Sequence, residues 1–215
     1  MIGEVATLDP HAGQPVLHAG ARAADARLAM ILVHGRGASA GDMMALAQEF
    51  SEPDVAYLAP QAAGGTWYPY SFLSPIAQNE PGISSGLGAI ERLLESLAQQ
   101  RVGADRVILL GFSQGACLAL EFAARHARRY GGVFGLSGGL IGPDGTDRGY
   151  GGTMEGTPVF LGCSDRDPHI PAGRVDEAGG VFRRLGAAVD ERIYPGMGHT
   201  VNGDEIEAVR ARLRA

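Results

Sequence analysis

Residues 106–129 read RVILLGFSQGACLALEFAARHARR, and two kinds of pattern meet inside that stretch. Val107–Gly111 is a short, nearly continuous apolar run, as expected of a strand covered on both faces. From Gly115 onward the residues read as a helix. It is almost wholly apolar at first, and it ends in Arg128 and Arg129, where positive charge suits the negative pole. Gly131-Gly132 is expected to stop it. Between strand and helix stands Gly111-Phe112-Ser113-Gln114-Gly115, a G-x-S-x-G pattern. In a strand–turn–helix setting this pattern bends the chain sharply and exposes the serine at the tip of the turn. The helix that follows points its free N–H groups and positive dipole end at the site where an oxyanion would form.

Working outward, similar apolar runs appear at Leu28–Val33, Val55–Ala59, Val133–Leu136, Val159–Cys163 and Val189–Tyr194. Helical periodicity fills the gaps. Leu87, Ile90, Leu94 and Leu97 fall behind Ser84 or Ser85 as the expected N-cap. Val175, Ala178, Phe182 and Leu185 follow Pro171. Ile206, Val209 and Leu213 follow Asn202, with Glu205 placed for a capping box. Strands alternating with helices imply an α/β fold, with a mostly parallel sheet covered on both sides. No linker interrupts residues 1–215, so one domain is expected. Glu4–Leu8 and Pro15–Ala19 are read as an added antiparallel hairpin. Two stretches escape the alternation. Pro60–Ile83 is long and irregular, with Trp67, Tyr68, Tyr70 and Phe72 crowded together. Gly135–Thr157 is rich in glycine. Long loops in compact domains are usually functional or mobile.

A second G-x-S-x-G match, Gly135–Gly139, competes with the first. The GGLIGPDG after Ser137 cannot begin a helix, so Ser113 is the candidate nucleophile and Ser137 a turn residue whose strand end lies nearby. A serine hydroxyl needs a base, and the base needs an orienting carboxylate. Asp165 and Asp167 end one downstream strand; His199 follows the next, in the Ser–Asp–His order usual for such sheets. All three sites then project from the same edge of the sheet, where such folds bind ligands. His199 is the expected base; spacing leaves Asp165 and Asp167 both open. His126 is read as solvated. His169 is read as a rim residue or a substrate contact. His34-Gly35-Arg36-Gly37 follows the first long strand, so the Arg36 and Gln114 backbone N–H groups are the expected oxyanion donors. The Arg36 side chain is left as a surface residue or a sensor of an acidic substrate group.

Composition narrows the function further. The chain has 215 residues, 45% hydrophobic and 20% charged, which suits a globular protein and excludes general disorder. The longest apolar run has six residues, too few to span a bilayer. The first residues, MIGEVATLDPHAG, show no signal-peptide pattern. A net charge of −6 argues against nucleic acid or an anionic membrane as the main partner. All 18 basic residues are arginine, so no lysine can act as Schiff base, catalytic base or P-loop cation. The Asp165-x-Asp167-x-His169 spacing lacks the further ligands a metal site needs, and HGRGAS does not complete a dinucleotide fingerprint. No cofactor or metal is therefore expected. Cys117 and Cys163 form no CxxC pair, which suggests a reducing cytoplasm. Self-association is left open.

The pieces HGRGAS, GTWYPYSF, GFSQGACLAL, GLSGG, CSDRDPHIP and GMGHTVN occur in one order from Ile31 to Asn202. Together they resemble the phospholipase/carboxylesterase family of small α/β-hydrolases, which includes acyl-protein thioesterases and lysophospholipases. The resemblance implies an α/β-hydrolase fold without a separate cap domain, and a triad of Ser113, Asp167 and His199. It prefers Asp167 because the family's D-P-x-[VI]-P piece falls on Asp167–Pro171. It implies oxyanion donors at Arg36 and Gln114. Arg36 stands where the thioesterase branch carries an apolar residue, and GTWYPYSF is more similar to bacterial carboxylesterases. The implied activity is hydrolysis of short or medium acyl or aryl esters through an acyl-enzyme. The alternatives are a thioesterase or lysophospholipase with the same triad, or a silent ligand-binding module. The loop Trp67–Pro75 is expected to form one wall of an open cleft, with Trp67, Tyr68, Phe72 and Leu73 as candidate substrate contacts.

Overall fold

The computed structural model describes residues 9–50 and 52–215. Seven strands form one sheet: β1 (Val16–Gly20), β2 (Leu28–Val33), β3 (Val55–Pro60), β4 (Val107–Phe112), β5 (Gly132–Leu136), β6 (Pro158–Ser164) and β7 (Ala188–Tyr194). Their order is β1-β3-β2-β4-β5-β6-β7. β1 runs antiparallel to β3, with Val16 opposite Pro60, and every other neighbouring pair is parallel. This is an α/β-hydrolase-type fold. The hairpin expected at the N-terminus differs: Pro15–Ala19 pairs with β3, and Glu4–Leu8 lies outside the described residues.

Two helices cover one face of the sheet, α1 (Ala40–Gln48) and α5 (Gly203–Arg214). They pack Met43, Ala47, Val209 and Leu213 against Met30, Leu32, Ile108 and Phe134. The other face carries α2 (Gly82–Gln99), α3 (Gln114–Arg125) and α4 (Ala172–Arg184). The alternation of side chains along the strands explains why β2 to β5 read as unbroken apolar runs, because both their faces are buried. Two capping boxes start helices where the sequence allows them: Ser39 with Asp42 on α1, and Asn202 with Glu205 on α5.

Two helix ends depart from the sequence reading. α2 begins at Gly82, ahead of the expected Ser84 or Ser85 cap, because both serines are occupied elsewhere. Ser84 bonds to Glu80, while Ser85 accepts from the His11 N–H at 2.9 Å and donates to Asp9. α3 ends at Arg125 rather than Arg129. There the His126 ring stacks on Phe122 at 4.5 Å, its carbonyl accepts from the Tyr130 hydroxyl, and Ala127 bridges to Gly152. Tertiary contacts, not the glycine pair, terminate that helix.

α3 is buried on nearly every side. The glycine-rich segment contributes to its cover by packing Leu140, Ile141 and Met154 inward. Polar groups pin that segment. Glu121 on α3 accepts from the Ile141 N–H at 3.0 Å and from the Tyr150 hydroxyl, and Arg174 on α4 donates to the Leu140 and Gly142 carbonyls. A carboxylate buried this deeply requires such partners.

Candidate active site

β4 ends at Phe112 and α3 begins at Gln114, so one residue makes the bend. Ser113 sits at φ 55°, ψ −120°, a conformation that costs a non-glycine residue about 1–3 kcal/mol. The surroundings over-determine it. The Ser113 N–H donates to the Leu136 carbonyl and its own carbonyl accepts from Cys117. A Cβ at Gly111 would lie 2.2 Å from the Gly115 carbonyl oxygen, and one at Gly115 would lie 2.1 Å from that of Val33. Both glycines of the motif are therefore steric requirements of the strand–helix approach.

The loop after β6 and the loop after β7 meet at this bend. His199 Nε2 lies 2.8 Å from Ser113 Oγ, and His199 Nδ1 lies 2.6 Å from Asp167 Oδ2. An ionised carboxylate only accepts, so Nδ1 carries the proton and Nε2 is free to accept from the serine hydroxyl. Burial pushes the Asp167 carboxyl up. The hydrogen bond from His199 and those from the His169 and Ile170 N–H groups outweigh that burial and hold it below the ordinary carboxylate range. The imidazole is fixed from its sides, with Phe112 at 5.0 Å and His169 edge-on at 4.8 Å. Asp165 has a different place: it accepts from the Gly196 N–H at 2.7 Å and so ties down the loop that carries His199.

Among the described residues, the backbone N–H groups of Arg36 and Gln114 donate to no protein acceptor. Gly35 allows the turn before Arg36 to pass close to Ser113, since a Cβ there would sit 3.3 Å from that of the serine. The side chain of Gln114 is committed to structure. Its Oε1 accepts from the Trp67 N–H at 2.9 Å and its Nε2 donates to the Tyr68 carbonyl at 2.8 Å.

A cavity of about 510 Å³ opens at Ser113 and His199. Tyr68 and Phe72 line it as the sequence suggests, with Pro69, Tyr70 and Ser71 of the expected Trp67–Pro75 wall between them; Ile170, which sequence reasoning had not singled out, lines it too. His169 lines it as well. Two expected contacts do not. Trp67 is fully buried, its ring lies between His11 and His34, and its indole N–H donates to the His34 carbonyl at 2.8 Å. It is a pin beneath the wall, drawn inward by an indole donor that needs an acceptor once buried. Leu73 faces a separate, smaller cavity beside Asp144, Arg174 and Glu177. Ser137 is buried at φ 51°, and its N–H donates to the Gly162 carbonyl; it is a turn residue one strand over from the bend. His126 lies at the far end of α3 and is half-exposed. Among the described residues no cluster of His, Cys, Asp and Glu could hold a metal ion.

The model of the phospholipase/carboxylesterase family matches residues 16–215. The chain belongs to that family. Among solved structures, a phospholipase/carboxylesterase from Dyadobacter fermentans shares 37% identity at a TM-score of 0.90, covering 94% of this chain and 97% of that one. Esterase PE8 shares 27% at 0.76, with the same coverage. Among curated relatives, acyl-protein thioesterase 1 of Saccharomyces cerevisiae is 28% identical, over 92% of this chain and 96% of its own. The corresponding protein of Yarrowia lipolytica is 27% identical, over 84% and 88%. This member of the phospholipase/carboxylesterase family is a serine hydrolase. Among the described residues no helix is long and apolar enough to cross a membrane.

Proposed function

We propose that the protein is a carboxylesterase that hydrolyses short or medium acyl and aryl esters through a covalent acyl-enzyme. The observation that carries this reading is the continuous relay from Ser113 through His199 to Asp167, with contacts of 2.8 and 2.6 Å, at the floor of an accessible cavity. His199 Nε2 takes the hydroxyl proton as Ser113 Oγ attacks the ester carbonyl. Asp167 fixes the tautomer and balances the charge that forms on the imidazole. The Arg36 and Gln114 N–H groups receive the oxyanion, aided by the N-terminal end of α3. The protonated imidazole then gives its proton to the leaving alcohol. Water enters, loses a proton to His199, and releases the acid by the same steps in reverse.

One sheet with its covering helices, and no separate cap among the described residues, supports small substrates over long lipid chains. Two buried free thiols, Cys117 and Cys163, support a reducing cytoplasmic setting. A second reading is thioester hydrolysis with the same residues. It is favoured by the near full-length likeness to relatives named acyl-protein thioesterase 1. The complete relay speaks against a silent binding module. A fluorophosphonate probe should label Ser113, located by peptide mass spectrometry. 4-Nitrophenyl butyrate should be turned over faster than a palmitoyl thioester. Absence of labelling would end the serine-nucleophile reading, and the opposite substrate ranking would favour the thioesterase.

A further inference from the structure

The cavity beside Ser113 has an uneven charge. Arg36 lines it, and no aspartate or glutamate does. The nearest carboxylate of the relay, Asp167, has a fully buried side chain behind His199. Among the described residues Arg36 forms no ion pair. Its guanidinium is nevertheless held in place: one terminal nitrogen donates to the Pro69 carbonyl at 2.8 Å, the other to that of Tyr70 at 2.6 Å. Two of its five N–H donors are thus used and three remain. A guanidinium fixed in this way loses little rotamer freedom when a further acceptor arrives.

Tyr68 also lines the wall, but its hydroxyl is closed off from solvent beside the Cys117 thiol and offers a ligand nothing. One permanent cation in a wall otherwise built from Pro69, Tyr70, Ser71, Phe72 and Ile170 matches a substrate with a single negative charge.

We propose that Arg36 selects esters that carry a carboxylate away from the scissile bond, and that it does so through its side chain, apart from the part its backbone N–H plays. This inference rests on the esterase reading. The partner chemistry is a planar monoanion, which the guanidinium fork accepts through paired hydrogen bonds. A dianion would require a second permanent cation, and none lines the cavity.

Two matched substrate pairs test it: mono-4-nitrophenyl adipate against 4-nitrophenyl methyl adipate for a charge in the acyl part, and 3-acetoxybenzoate against 3-acetoxybenzamide for a charge in the alcohol part. In at least one pair the wild-type protein should favour the anion in kcat/KM by about tenfold, the scale of one charge-assisted hydrogen bond. That preference should shrink at high salt and vanish in Arg36→Met, while Arg36→Lys keeps part of it. A purely structural strap on the Pro69–Tyr70 wall would lower both members of a pair alike and leave the ratio unchanged; that result overturns the proposal, as does a wild-type ratio at or below one in both pairs. If the protein hydrolyses none of the four esters, it is the esterase reading itself that falls.

Discussion

Glu205 provides the most quantitative test of this structure. The residue sits in the first turn of α5, where one carboxylate oxygen accepts from the Asn202 N–H at 2.9 Å. The side chain is fully buried, and its other oxygen has no partner among the described residues. That second oxygen faces Gly162 so closely that a Cβ there would come within 2.2 Å of it. Burial raises the carboxyl from an ordinary 4.5 to about 7; the Asn202 N–H opposes the rise and the neighbouring Asp204 charge adds to it. The folded protein therefore keeps a proton on Glu205 that the unfolded chain gives up near pH 4.5. Stability from this group is fully present below that pH and is lost as pH rises toward 7. A displacement of roughly 2.5 pH units corresponds to about 3 kcal/mol. Glu205→Gln cannot ionise, so the component should vanish. Urea unfolding of both proteins at pH 4.5, 5.5, 6.5 and 8 gives the comparison. The stability of the variant minus that of the wild type should climb by about 3 kcal/mol across the series and level off above pH 7. A difference that stays flat with pH would show that Glu205 is ionised in the folded state and that the account of its burial is wrong.

Three further outcomes follow from the site. Ser113→Ala should lower kcat for ester hydrolysis roughly 10⁴- to 10⁶-fold while leaving the circular dichroism spectrum and unfolding midpoint close to wild type. Asp167→Asn should cost about 10³- to 10⁴-fold in kcat, because the imidazole loses the acceptor that sets its tautomer; Asp165→Asn keeps an oxygen for the Gly196 N–H and should cost less than about tenfold. The reverse order in a kinetic assay would reassign the acid. Trp67→Phe removes the donor to the buried His34 carbonyl and should destabilise the protein by about 1–3 kcal/mol in urea unfolding. A neutral effect would mean that Trp67 is not the pin described above.

The sheet was readable in the sequence because its central strands are buried on both sides. Leu28–Val33 announces itself as an apolar run with the bounds observed, and Val107–Gly111 falls one residue short of β4. The chain order of Ser113, Asp167 and His199 was readable too, since parallel strands deliver their C-terminal ends to one edge, and those three side chains do meet there. What escaped is whatever depends on direction within a loop. The aromatic stretch was visible as a wall of the cleft, but nothing in GTWYPYSF says that Trp67 turns inward to a backbone carbonyl or that Leu73 passes to another cavity. The start of α2 escaped because Ser84 and Ser85, good caps by type, answer to Glu80 and to the distant Asp9 and His11. The Asp9 and His11 contacts belong to tertiary structure, which local propensity does not encode.

The bonds of Trp67 and Gln114 have a consequence for any attempt to redesign this catalyst. Trp67 ties to the turn carrying Arg36 through His34, and to the head of α3 through Gln114, whose amide also grips Tyr68. Wall and proposed oxyanion cradle are thus welded into one piece. Reshaping the wall at Trp67 or Tyr68 to admit a larger acyl group would drag the cradle along and blunt the chemistry it was meant to broaden. Tyr70, well exposed and held chiefly through its backbone to Asn79 and Arg36, is the place to begin, because its side chain can be exchanged without loosening that joint.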